Sequence, residues 1–173
     1  VANQQLLDAY SFVGKGWWPL LEKYIPAMQG IDPECDFDVK EKYGTIRLQA
    51  SVSDACTDHA AFWRLEEEAE AESACEYCGK PGRYRHENRS WYLTLCDDCD
   101  ALDKEGVYDV HFEERVLLGK KYEELIDPER KEELWEQWLA LPVKNTLQRD
   151  EFKVWYRSLT SNEQGVVLGW NAE

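Results

Sequence analysis

Cys75-Glu76-Tyr77-Cys78, seventeen residues, then Cys96-Asp97-Asp98-Cys99: this paired spacing decides how the chain is read. Two C-x2-C units at such a distance match the pattern of a zinc-binding module. Zinc takes thiolate sulfur tetrahedrally with bonds of about 2.3 Å. Each pair can present two sulfurs to one ion, and a hairpin between the pairs can bring them together. The intervening residues suit that geometry. Gly79 follows the first pair and Pro81-Gly82 turns the chain. Tyr84 precedes a polar stretch, His86 to Ser90; Trp91, Leu93 and Leu95 then alternate with Tyr92 and Thr94 into Cys96. Asp97-Asp98-Cys99-Asp100-Ala101-Leu102 starts a helix, with acids in the first turn where the macrodipole favours them. A knuckle, a hairpin and a helix bearing the last ligand pair make a treble-clef-like unit; a zinc ribbon is the alternative. Four thiolates from Cys75, Cys78, Cys96 and Cys99 fill the shell, so one structural zinc is expected, since catalytic sites keep a position open.

The remaining cysteines, Cys35 and Cys56, are read as ordinary buried small residues. Paired C-x-x-C units without a visible secretory signal favour a reducing cytoplasm over a disulfide framework or a thioredoxin-type redox pair. A tetrathiolate zinc carries a net charge of about −2. Lys80, Arg83, Arg85 and Arg89 lie on the same hairpin. Their simplest role is to offset that charge; a sharper one is to contact nucleic-acid phosphate, as zinc modules do.

Working outward, Leu6, Leu7, Tyr10 and Val13 share a helical face, and Gly14-Lys15-Gly16 breaks it. Trp17, Leu20, Leu21, Tyr24 and Ile25 resume the period, with Gly30 and Pro33 as the expected stop. Of the adjacent Trp17 and Trp18, one is expected to be exposed and the other buried. Phe37 and Val39, then Ile46, Leu48, Ala50 and Val52, alternate with polar residues around Lys42-Tyr43-Gly44, which predicts a hairpin. A helix is expected from about residue 57 to 73, with Ala60, Ala61, Phe62 and Leu65 inward and Glu66, Glu67, Glu68, Glu70 and Glu72 solvated. Tyr108–Phe112 reads as a short strand. Asp127-Pro128 opens a helix whose stripe is Leu134, Trp135, Trp138 and Leu141, ended by Pro142. Phe152, Trp155, Tyr156 and Leu159 predict another, and Thr160-Ser161-Asn162-Glu163 has capping-box spacing for a last helix toward Gly169. The expected fold is α+β: residues 1–72 helical and hairpin, 73–106 the treble-clef-like zinc unit, 107–173 mostly helical.

The net charge of −15 repels bulk nucleic acid and anionic membranes. No apolar run approaches the roughly 18 residues a bilayer requires, so no membrane association is expected. Residues 51–74 hold seven acids and one base, an acidic stretch that serves solubility or faces a basic partner. There is no Gly-rich phosphate loop and no nucleophile elbow. His59, His86 and His111 are scattered. Asp36, Asp38 and Glu41 are weighed as a divalent-cation hydrolase site and ranked last.

Val39-Lys40-Glu41-Lys42-Tyr43-Gly44-Thr45-Ile46-Arg47 resembles a V-K-E-K-[FY]-G-x-[LI]-R hairpin motif. The S-x-C-E-x-C-G-x-P-G run of Ser73 to Gly82 resembles the zinc knuckle that follows that hairpin, after an acidic helix, in small uncharacterised bacterial and prophage-borne proteins. Gly16-Trp17 fits the same pattern. The resemblance spans residues 16–99 and implies a bacterial cytoplasm and a mobile-element origin; it supplies no activity. The function expected is a non-enzymatic, zinc-stabilised module that binds another protein. The alternatives are nucleic-acid binding through the basic hairpin and an acidic mimic of nucleic acid that inhibits another protein.

Overall fold

A computed structural model describes residues 4–87, 91–106, 110–141 and 150–170. Eight helices and two two-stranded antiparallel sheets make up these residues. They fall into two compact units, residues 4–106 and residues 110–170.

In the first unit, α1 (Gln4–Tyr10) ends before Gly14, and a 3-10 turn, Lys15–Trp17, leads into α2 (Trp18–Ile31). The junction explains the tryptophans. Trp17 closes the 3-10 turn and Trp18 opens the helix, so neighbours point into different parts of the core and both are buried, against expectation. Trp18 Nε1 donates to the Tyr10 carbonyl at 3.2 Å, which satisfies its polar atom. Gly30 does not stop α2. The helix runs to Ile31, and the buried Asp32 ends it by accepting from the Glu34 amide (3.1 Å) and the Ser53 amide (2.6 Å).

The hairpin pairs β1 (Asp36–Lys42) with β2 (Thr45–Ser51), Val39 opposite Leu48. Tyr43 and Gly44 between them have φ of 54° and 73°, as a two-residue type I′ turn requires. Helix α3 (His59–Ala71) covers β2, with Asp58 capping it at 3.0 Å through the Ala61 amide. Ala61, Phe62 and Ala69 are buried and Leu65 half-buried, but Ala60 is exposed because it lies on the opposite face. The glutamate run is solvated at Glu67 and Glu68, as expected, but engaged elsewhere. Glu66 accepts from the Ala50 amide at 2.7 Å, Glu70 pairs with Arg47, and Glu72 takes Lys23 and the Tyr24 hydroxyl (2.6 Å). Three carboxylates thus fasten α3 to the hairpin and to α2.

The remaining elements of this unit are β3 (Arg83–Arg85), β4 (Leu93–Leu95) and α4 (Asp97–Glu105). They carry the cysteines.

In the second unit, α5 (Val110–Glu123) packs on α8 (Ser161–Trp170). The expected strand at Tyr108–Phe112 is not formed at its C-terminal part: Val110, His111 and Phe112 begin α5, and residues 107–109 lie outside the described residues. Gly119 and Gly169 let α5 and α8 approach until a Cβ on Gly119 would sit 2.6 Å from the Gly169 Cα. Helices α6 (Pro128–Ala140), with Asp127 as its cap, and α7 (Asp150–Ser158) follow the expected periods. Leu134 and Trp138 are buried, while Trp135 is more exposed and stacks on Trp138 with centroids 5.0 Å apart. Pro142 lies outside the described residues.

The capping box forms as read: Thr160 N donates to Glu163 Oε2 at 2.7 Å, and Glu163 N to Thr160 Oγ1 at 3.4 Å. Glu163 also accepts from Arg130 at 2.6 Å. Burial pushes its carboxyl up, but the Thr160 amide and Arg130 outweigh burial and hold it below the usual 4.5. A depressed carboxylate contributes stability above its unfolded pKa and loses it as pH falls through the folded value. Glu163→Gln is therefore expected to cost about 1–2 kcal/mol at pH 7 and to flatten the acid dependence below about pH 4.5, read by thermal unfolding across pH.

Candidate metal centre

The knuckle is built by backbone hydrogen bonds between Ser73 and Gly82. Ala74 bridges Pro81, Gly82 N donates to Ser73 O at 2.8 Å, and Cys75 N to Lys80 O at 2.7 Å. Gly79 turns the loop at φ 76° while its amide donates to Cys75 O at 2.9 Å. Only glycine adopts that φ without cost. This loop presents Cys75 and Cys78. The second pair comes from the β4–α4 junction. Cys96 is the N-cap of α4, and its sulfur accepts from the Cys99 amide at 3.5 Å. The two halves share one network: Glu76 N donates to Thr94 O at 2.9 Å, and Thr94 N returns to the buried Glu76 carboxylate at 2.7 Å.

The four sulfurs all lie within 4.8 Å of one another. A tetrathiolate tetrahedron with bonds of about 2.3 Å needs edges of about 3.8 Å. Cys78 Sγ and Cys96 Sγ, 3.7 Å apart, meet that length and are unbonded. The donor set therefore fits a metal ion. Cys75 and Cys99 are buried, Cys96 is half-buried and Cys78 faces outward. Tyr77, Leu93 and Leu95 pack around the sulfurs, and the Tyr77 hydroxyl ties the knuckle to α4 through Asp103 at 2.7 Å. The Cys99 amide holds the Cys96 thiol down at about 7. Burial pushes the Cys78 and Cys99 thiols up, with the Lys80 amide acting the other way on Cys78. A bound cation reverses that penalty, because it favours thiolate.

The basic residues of the hairpin pair with acids at the start of α4, Lys80 and Arg83 on the surface and Arg85 nearly enclosed. Lys80 Nζ is 3.7 Å from Asp98, and Arg83 Nη2 is 3.2 Å from Asp97. Arg85, only 11% exposed, reaches Asp97 at 2.6 Å and Asp100 at 3.3 Å. The Arg85 hydrogen bond, with the charges of Arg83 and Arg85, lowers the Asp97 carboxyl. The acids of the first turn of α4 thus neutralise the cations of β3. Arg89 lies outside the described residues.

Asp36, Asp38 and Glu41 are not brought together. Asp36 accepts from Gln5 (3.1 Å), Asp38 pairs with Lys40, and Glu41 accepts from the Gly44 amide (2.7 Å). Among the described residues, the four cysteines are the only group of three or more such side chains placed to share a metal. His86 is exposed and packs at a tilt against Tyr84.

One partner of the site was not legible as such in the sequence. Gly16 docks on the knuckle backbone, donating its amide to Glu76 O at 2.8 Å, and Trp17 Nε1 donates to Ala74 O at 2.8 Å. A Cβ on Gly16 would lie 2.0 Å from Cys75 O. Only the adjacency of glycine and tryptophan before a helix hints at this close approach.

Gly16→Ala is expected to cost about 3 kcal/mol and to weaken metal retention, because the knuckle must move off the core. Gly30→Ala, inside α2 with nothing within 4 Å of a new Cβ, should instead gain up to about 1 kcal/mol. Chemical denaturation with metal analysis of both variants checks the contrast. No protein-family model, curated protein or solved structure matches this chain.

Proposed function

We propose that the chain is a non-enzymatic protein-interaction module whose N-terminal unit is held together by one structural zinc in a treble-clef-like setting. Convergence of four cysteine sulfurs within 4.8 Å is the observation that carries this reading. Sulfur-only tetrahedral sites favour zinc or iron–sulfur chemistry, and a closed shell leaves no position for substrate. A knuckle, a short hairpin and a helix capped by Cys96 support the treble-clef description over a ribbon, whose second pair sits on a strand. The tyrosines left exposed on the two hairpins, Tyr43, Tyr84 and Tyr92, support an interface, where aromatic residues are enriched. The ion pairs of Lys80, Arg83 and Arg85 with Asp97, Asp98 and Asp100 weigh against phosphate binding. Likewise, the engagement of Glu66, Glu70 and Glu72 inside the unit weighs against a nucleic-acid mimic on that helix. A bacterial or mobile-element origin remains part of the proposal, on the hairpin and knuckle motifs.

Zinc binding in small modules contributes on the order of 10 kcal/mol to folding. Cys96→Ser is expected to lose the metal and unfold at least residues 73–106. Native affinity capture with the full chain is expected to recover a partner at fixed stoichiometry, and the Cys96→Ser chain should lose it. Recovery of no partner, or undiminished recovery by the Cys96→Ser chain, overturns the reading.

A further inference from the structure

A groove of about 210 Å³ lies between α1 and β1. Gln5 pins one end of it. Its Nε2 donates to Cys35 O at 3.0 Å and to Asp36 Oδ1 at 3.1 Å, and its Oε1 accepts from Gln29 at 2.6 Å. Beyond Gln5, Asp8 and Phe12 form one wall, because residues 5, 8 and 12 recur at helical spacing. The Phe12 amide donates to Ala9 O at 3.2 Å, which carries that face past the end of α1. Asp36, Phe37 and Val39 form the other wall.

The charge of this groove is of one sign. Asp8 and Asp36 are exposed, and each takes a neutral amide: Gln4 donates to Asp8 at 2.8 Å, and Gln5 to Asp36. Among the described residues neither carboxylate meets a cation, and no cation lines the groove. Lys40, the next cation along β1, is taken by Asp38. Asp8 also sits in the last turn of α1, where a carboxylate opposes the helix dipole. Two like charges in one groove, one of them against a dipole, disfavour folding, so stability does not account for them.

We infer that this groove takes a long basic side chain, arginine or lysine, from a partner protein. The inference rests on the protein-binding reading above and names the chemistry of one contact. Local charge selects the head group: the two charged residues lining the groove are both carboxylates, which favours a cation and repels phosphate. The walls select the stem. Phe12, 62% exposed, with Phe37 and Val39 offers apolar surface along which a long basic side chain buries its methylenes while its head stays at the carboxylates. Size selects a single side chain, since 210 Å³ falls below the roughly 300 Å³ at which pockets for small-molecule ligands begin.

The test uses the full zinc-loaded chain, isotope-labelled for NMR, with three probes: a blocked glycine–arginine–glycine peptide, its uncharged citrulline counterpart, and spermidine. The amide signals of Asp8, Phe12, Phe37 and Val39 are expected to shift with millimolar arginine peptide, which should bind at least about fivefold more tightly than the citrulline peptide. Asp8→Asn with Asp36→Asn keeps both hydrogen-bond acceptors and removes both charges. This variant should bind the two peptides equally, with a thermal midpoint unchanged or raised. Phe12→Ala should weaken both peptides alike, because it removes contact with the stem. Equal binding of the two peptides by the unaltered chain, shifts confined to other residues, or an undiminished preference in the double variant overturns the groove. Tighter binding of spermidine than of the arginine peptide overturns the partner side chain in favour of a free polyamine. A lower midpoint for the double variant marks the carboxylates as structural and overturns the assignment. None of these substitutions touches a cysteine. Failure here with partner capture intact therefore leaves the protein-binding reading standing, and loss of capture with the arginine peptide still bound removes that reading alone.

Discussion

The N-terminal unit depends on a backbone-to-backbone contact between the 3-10 turn at Gly16-Trp17 and the knuckle at Ala74-Cys75-Glu76. Two hydrogen bonds of 2.8 Å cross it, one from the Gly16 amide and one from the Trp17 indole. The approach is so close that no side chain fits at Gly16. Trp17 is then buried on the core side, next in sequence to the helix that supplies Leu21, Tyr24, Ile25 and Met28. A short cysteine loop has little apolar surface of its own and little reason to hold one shape. The contact therefore couples two weak partners: a metal held by the four cysteines would fix the knuckle, and the knuckle fixes the start of the main helix.

Charge is distributed by the same logic. Few of the acids that give the chain its net charge of −15 are idle around the site. Glu76 accepts from the Thr94 amide between the two cysteine pairs, Asp100 receives Arg85 and Lys104, and Glu72 receives the Tyr24 hydroxyl. Exposed pairs of this kind contribute little individually. Those at Asp100 and Glu76 are buried, where an unmatched carboxylate is costly, so they specify geometry more than they add stability. A metal held by four thiolates would add further negative charge, and Arg85, nearly enclosed on β3, would be the compensating cation.

The sequence made much of this legible because local signals and tertiary need agree. The doubled C-x2-C spacing reported four residues that do converge, and the alternation around Tyr43-Gly44 reported the hairpin with its turn. Thr160 and Glu163 announced a cap that forms in both directions. Misreadings occurred where a distant partner overrides the local pattern. Val110–Phe112 reads as a strand in the sequence, but the segment is the start of α5. The glutamates from Glu66 to Glu72 look solvated by composition alone; Glu67 and Glu68 are, but Glu66, Glu70 and Glu72 take the Ala50 amide, Arg47, Lys23 and Tyr24, none of them near in sequence. Trp17 and Trp18 are both buried across a 3-10 junction, which leaves no periodic trace.

X-ray absorption at the zinc edge, with metal-to-chain ratio measured on the same purified sample, tests the centre most directly. One zinc per chain surrounded by four sulfurs at about 2.3 Å is the expected result. A chain without zinc, or a shell containing nitrogen or oxygen in place of sulfur, would contradict it.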